Sequence, residues 1–240
     1  MTTVTITIDG REVKAQSGQT VIEAASAVGI DIPVLCHHPA VAPIGACRMC
    51  LVEIEKQRAL QPACTFPVSE GLVIHTESPK VVEARKFVLN LLFSERNHFC
   101  MFCQMSGNCE LQDLAYRYHM DHWLYPRAYP HLEVDSSRKY FVMDHNRCIL
   151  CRRCIRACSD KVGNHTLGLQ HRGVHTMLVA DMAVPFGESS CVSCGTCLQV
   201  CPTGALMDRT SAYGGVKQEV DRVKTTCQFC SVGCTADMVV

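Results

Sequence analysis

The residues here whose type and spacing could do chemistry are eighteen cysteines in a chain of 240 residues. Cys36, Cys47, Cys50 and Cys64 form C-x10-C-x2-C-x13-C, and Cys100, Cys103 and Cys109 form C-x2-C-x5-C with His98 just ahead. Cys148, Cys151, Cys154 and Cys158 form C-x2-C-x2-C-x3-C; Cys191, Cys194, Cys197 and Cys201 repeat it and run into Pro202. Cys227, Cys230 and Cys234 close the series in CQFCSVGC, and these five groups use every cysteine. Thiolates at such spacings ligate soft metals and iron-sulfur clusters. Disulfides are the poorer use, because the opening MTTVTITIDG carries no signal segment and the chain is expected to be cytoplasmic, where thiols stay reduced.

The repeated run resembles that of bacterial ferredoxins, in which the fourth cysteine of each run ligates the other cluster. A tight C-x2-C-x2-C loop wraps three corners of a cube, and the fourth cysteine faces the partner repeat. One [4Fe-4S] cluster is therefore expected on Cys148, Cys151, Cys154 and Cys201, and a second on Cys158, Cys191, Cys194 and Cys197. Zinc knuckles, the non-redox scaffold alternative, would use simple C-x2-C pairs. The middle group has only three cysteines, and His98 beside them is the expected fourth ligand of a third [4Fe-4S] cluster. Histidine in place of thiolate removes a negative charge and should raise the cluster potential. The other histidines, among them His37, His38, His119 and His122, border no such ligand set and are taken as structural.

These groups need elements to hold them. Val4, Ile6 and Ile8 alternate before Asp9-Gly10, predicting a hairpin; TVIEAASAVGI then predicts a helix with Thr20 as N-cap and Gly29 beyond its end. Val81, Val88, Leu91 and Leu92 predict a core helix leading to His98. Arg147, Arg152, Arg153 and Arg156 crowd the first ferredoxin-like loop, either offsetting cluster charge, forming a docking face, or facing solvent.

Lys plus Arg equals Asp plus Glu, 23 each, so a nucleic-acid partner is not expected, and no apolar run is long enough for a membrane span. There is no G-x-G-x-x-G or P-loop, and no catalytic triad or carboxylate pair stands out. Catalytic residues, flavin and NAD are expected elsewhere than on this chain.

From residue 1 to about 210, CHHPAVAPIGACRMCLVEI, NHFCMFCQMSGNCELQD, DHNRCILCRRCIRAC and CVSCGTCLQVCPTGAL together resemble the small diaphorase subunit of NAD-linked, bidirectional nickel-iron hydrogenases. The complex I large iron-sulfur subunit and iron-only hydrogenases share this domain order. The resemblance implies an α+β chain that opens with a β-grasp [2Fe-2S] domain over 1–78, with Cys36, Cys47, Cys50 and Cys64 as ligands. A small helical [4Fe-4S] domain over 79–137, with one histidine and three cysteines as ligands, comes next. A two-cluster ferredoxin domain over 138–210 and a tail over 211–240 would follow. The His98-x-Cys100 spacing favours the nickel-iron branch. The implied role is an electron wire from an NAD(P)H-oxidising flavoprotein subunit to a catalytic hydrogenase subunit. A formate dehydrogenase with a separate molybdenum or tungsten subunit is the alternative, since CQFCSVGC resembles the start of the [4Fe-4S] site of molybdopterin oxidoreductases. With no spare cysteine for Cys227, Cys230 and Cys234, three outcomes stand: a further cluster completed by a non-cysteine or partner ligand, an empty site, or a vestige. The partner-facing site is the expectation.

Overall fold

The alternation of Val4, Ile6 and Ile8 becomes strand β1 (Thr3–Ile8), paired antiparallel with β2 (Arg11–Gln16). Asp9 and Gly10 turn the chain with φ of 47° and 79°, the left-handed pair that a tight hairpin requires. Helix α1 (Val21–Ala27) follows, capped by Thr20: its hydroxyl accepts from the Glu23 amide, and the Glu23 carboxylate accepts the Thr20 amide at 2.7 Å. Strands β3 (Leu51–Ile54), β4 (Gln61–Pro62) and β5 (Val73–His75) complete a sheet of order β2-β1-β5-β3-β4, in which only β1 and β5 run parallel. The structure, a computed structural model, describes residues 2–126, 129–216, 220–228 and 231–240.

Ser78 caps helix α2 (Pro79–Glu95), and Pro79 opens it where no amide hydrogen is needed. Its buried stripe is Val81, Arg85, Leu89 and Phe93, one residue every fourth position. Leu91, expected inside, is 44% exposed, and Val88 and Leu92 are half-buried. The helix faces inward along the line through Arg85, a residue that periodicity of apolar side chains passes over. Helix α3 (Glu110–Arg117) packs against α2.

Strands β6 (Val134–Asp135) and β7 (Phe141–Asp144) precede helix α4 (Arg153–Arg156), which runs into a π-helical turn at Ala157–Val162. Strands β8 (Leu167–Gln170) and β9 (Met177–Ala180) make a hairpin, and α5 (Thr196–Gln199) leads to β10 (Leu206–Asp208), giving a second sheet of order β10-β7-β6. Strands β11 (Arg222–Thr226) and β12 (Thr235–Val239) pair with each other. The architecture is α+β.

One core fills the first sheet and α1, and another lies between β7, the β8–β9 hairpin and α5. Between them Leu35, Cys36 and Met49 pack with Leu89, Phe93 and Leu111 and with Ile149 and Cys151. This middle core draws on three distant stretches of sequence, and each brings a cysteine group to it. Among the described residues no helix is long and apolar enough to cross a membrane.

Candidate metal centres

The two C-x2-C-x2-C loops follow one backbone path. Leu150 and Arg152 have φ of 52° and 60°, and their counterparts Ser193 and Gly195 have 58° and 74°. Positive φ on either side of the second cysteine is uncommon for residues with side chains, and it curls the loop around its own sulfurs. One cavity is lined by Cys148, Cys151, Cys154 and Cys201 together with Ile149, Ile155, Leu178 and Leu206. Another is lined by Cys158, Cys191, Cys194 and Cys197 together with Phe141, Leu167 and Phe186. Each repeat thus delivers its fourth cysteine to the other's cavity.

Burial pushes the thiols of Cys148 and Cys151 up to about 11 and about 12, that of Cys197 to about 12, and that of Cys154 well up. Thiols in such apolar cavities hold their protons until cationic metal compensates, so loading them releases protons.

A third cavity is lined by His98, Cys100, Cys103 and Cys109. Helix α2 ends just before His98, which is buried with its ring edge-on to Phe93 at 5.4 Å between centroids. Cys109 stands at the N-cap of α3; its thiol is pushed up to about 12 by burial, against the opposing pull of the Leu111 and Gln112 amides. Arg147, Thr203 and Gly204 close the cavity from the ferredoxin-like side. Thr203 also lines the Cys148 cavity and donates its hydroxyl to the Arg147 carbonyl at 2.7 Å, so one residue separates the two sites. A Cβ on Gly204 would lie 2.9 Å from Met105 Cγ and 3.4 Å from Cys103 Sγ, so this approach needs glycine.

In the first group the Cys36 amide donates to Cys47 Sγ at 3.3 Å, and the Cys47 amide donates back to Cys36 Sγ at 3.5 Å. Hydrogen bonds from the Cys47 and Cys64 thiols hold Cys36 down to about 2, and the same bonds push Cys47 and Cys64 up. Four sulfurs held this close to one another suit a soft cationic guest. The thiols of the other three groups ring cavities instead of bonding to one another.

The arginines divide. Arg153 and Arg156 are buried, Arg147 is largely so and pairs with Asp144 at 3.1 Å, and Arg152 alone faces solvent. Sequence reasoning missed Arg85, which is fully buried and grips the carbonyls of Met49 and Leu51 at 3.1 and 2.8 Å, the residues flanking Cys50. Glu77 and Tyr118 take up its two Nη1 donors. Its place at four-residue spacing between Val81 and Leu89 was the available signal. In the tail, Cys227 donates its amide to the Cys234 carbonyl at 2.8 Å, which sets these two opposite each other at the mouth of the β11–β12 hairpin. Cys230 lies outside the described residues.

Comparison with known proteins agrees along the chain. Residues 1–79 match a 2Fe-2S iron-sulfur cluster binding domain, residues 85–123 the NADH-ubiquinone oxidoreductase-G iron-sulfur binding region, and residues 147–205 a 4Fe-4S dicluster domain. An NADH-quinone oxidoreductase subunit of Rhizobium meliloti is 35% identical over 96% of this chain and 27% of its own length. NADP-reducing hydrogenase subunit HndD of Solidesulfovibrio fructosivorans is 36% identical over 87% of this chain and 36% of its own. The chain therefore spans about a third or less of these curated relatives. A chain in the crystal structure of NAD+-reducing [NiFe]-hydrogenase in the H2-reduced state superposes with a TM-score of 0.83 and 36% identity, over 89% of this chain and 91% of that one. Cavities ringed by cysteine, the three domain matches and this near full-length likeness place the chain in the family of iron-sulfur electron-transfer subunits shared by NAD-linked hydrogenases and NADH-quinone oxidoreductases.

Proposed function

We propose that this chain relays electrons between a flavoprotein subunit that oxidises NAD(P)H and a separate catalytic [NiFe] hydrogenase subunit. The observation that carries the reading is the crossed lining of the two ferredoxin-like cavities, Cys201 with the first repeat and Cys158 with the second. Cys36, Cys47, Cys50 and Cys64 would hold a [2Fe-2S] cluster. Three [4Fe-4S] clusters would take His98 with Cys100, Cys103 and Cys109, then Cys148 with Cys151, Cys154 and Cys201, then Cys158 with Cys191, Cys194 and Cys197. Bound there, they supply one-electron chemistry. The chain's own residues orient the sulfurs through left-handed loop positions, keep water out with Ile149, Leu178 and Phe186, and clamp neighbouring loops with buried guanidinium groups. Cys227 and Cys234 would contribute to a further, partner-facing site.

Iron analysis after anaerobic purification tests this: about 14 irons per chain are expected from one [2Fe-2S] and three [4Fe-4S] clusters, and about 18 with the tail site filled. A colourless protein holding zinc would overturn it. The metal of the co-purifying partner separates the two substrate assignments, nickel for the hydrogenase and molybdenum or tungsten for a formate dehydrogenase.

A further inference from the structure

Helix α4 carries Cys154 between two buried arginines, and their partners differ in kind. Arg153 meets a carboxylate through both arms of its fork, Glu110 Oε1 at 2.6 Å and Oε2 at 2.7 Å. Arg156 is only 8% exposed and, among the described residues, forms no ion pair. Its donors go to neutral carbonyls: Nε to Arg152 at 3.2 Å, Nη1 to Ala42, and Nη2 to both Cys36 and Cys151, the last at 3.4 Å. A buried cation satisfied by carbonyls alone is costly, and it persists where negative charge stands nearby. The two groups it touches are cysteine sets. Cys36 belongs to the first and Cys151 to the third, and thiolate-ligated clusters carry net negative charge.

We propose that Arg156 is a positioning residue that ties the Cys36 loop to the Cys151 loop and serves as the common counter-charge of both sites, raising the reduction potential of each. The inference rests on the ligand sets proposed above. Reduction at either site adds one electron, makes or breaks no bond and takes up no proton at Arg156, whose guanidinium stays charged throughout. Arg152, the exposed neighbour, supplies the contrast, since water screens a surface charge that burial would leave at full strength.

The test is a redox titration of the iron-loaded full chain with dithionite, followed by electron paramagnetic resonance. R156Q should shift the midpoints of both the [2Fe-2S] site and the Cys148/Cys151/Cys154/Cys201 site downward, with R152Q close to wild type. Wild-type midpoints in an R156Q protein of full iron content overturn the proposal. R156K keeps the charge and loses the fork: its midpoints should stay near wild type while the magnetic interaction between the two reduced sites weakens. An unchanged interaction in R156K overturns the proposal even where R156Q loads too little iron to titrate. Absence of a [2Fe-2S] signal from wild type would sink the ligand sets themselves, an outcome distinguishable from unmoved midpoints.

Discussion

The two ferredoxin-like repeats share spacing and backbone path yet sit in different surroundings. In the first, Ile149 is 7% exposed, Cys151 is buried, and α4 sends Arg153 to Glu110 and Arg156 to the Cys36 loop. In the second, the equivalent of Ile149 is Val192, which is 59% exposed, and Cys194 is exposed. Its main tether is Arg138, which donates to Ser193 Oγ and the Cys191 carbonyl. The first repeat is a hub against which two other cysteine groups pack; the second is a surface site. One motif thus serves two different surroundings, because the motif determines which sulfurs face a cavity and the packing determines what can reach it.

The strongest way to break this contrast is to remove a sulfur from each side. Cys151→Ser should lose its cluster and melt the middle core, with a large drop in melting temperature, whereas Cys194→Ser should lose iron from its own site with a much smaller drop. Iron content beside thermal melting reads both, and equal drops would contradict the hub. Next in size, Ile149→Ala should cost about 2 to 4 kcal/mol as a buried large-to-small change, while Val192→Ala stays within about 0.5 kcal/mol, as exposed positions do. Denaturant midpoints of the loaded chain measure the difference. Arg153→Ala breaks the fork to Glu110 and should cost about 2 to 3 kcal/mol, at the low end for a buried pair because Glu110 is half-exposed. Arg138→Ala should cost about 1 kcal/mol. The glycines give the finest comparison. Gly195→Ala meets open space but must hold a φ of 74°, a strain of about 1 kcal/mol. Gly204→Ala must push Met105 aside and should cost somewhat more, about 1 to 3 kcal/mol, and shift the midpoint of the His98 site.

Much of the local structure is legible in the residues themselves. Asp9-Gly10 and the Thr20 capping box are chemistry within a few residues, and they appear where the sequence places them. Apolar periodicity sets the α2 face one step off: Leu91 is exposed while Arg85 is inside, because what a helix buries depends on what packs against it, and here the Cys47–Cys50 loop needs a donor to its carbonyls. The four arginines near the first repeat are alike in sequence, and nothing local separates the buried pair from exposed Arg152.

By itself, the sequence determined how the cysteines group and that Cys158 and Cys201 cross between the ferredoxin-like sites, because a C-x2-C-x2-C loop turns three sulfurs to one cavity and leaves the fourth facing the partner repeat, which is a local constraint. The hairpin turn and the helix starts follow from equally short-range hydrogen bonds. Tertiary structure alone decided the burial of Arg85, Arg153 and Arg156 and the close approach at Gly204. Each joins residues far apart in the chain, where burial in a shared core, and not spacing, sets the energy.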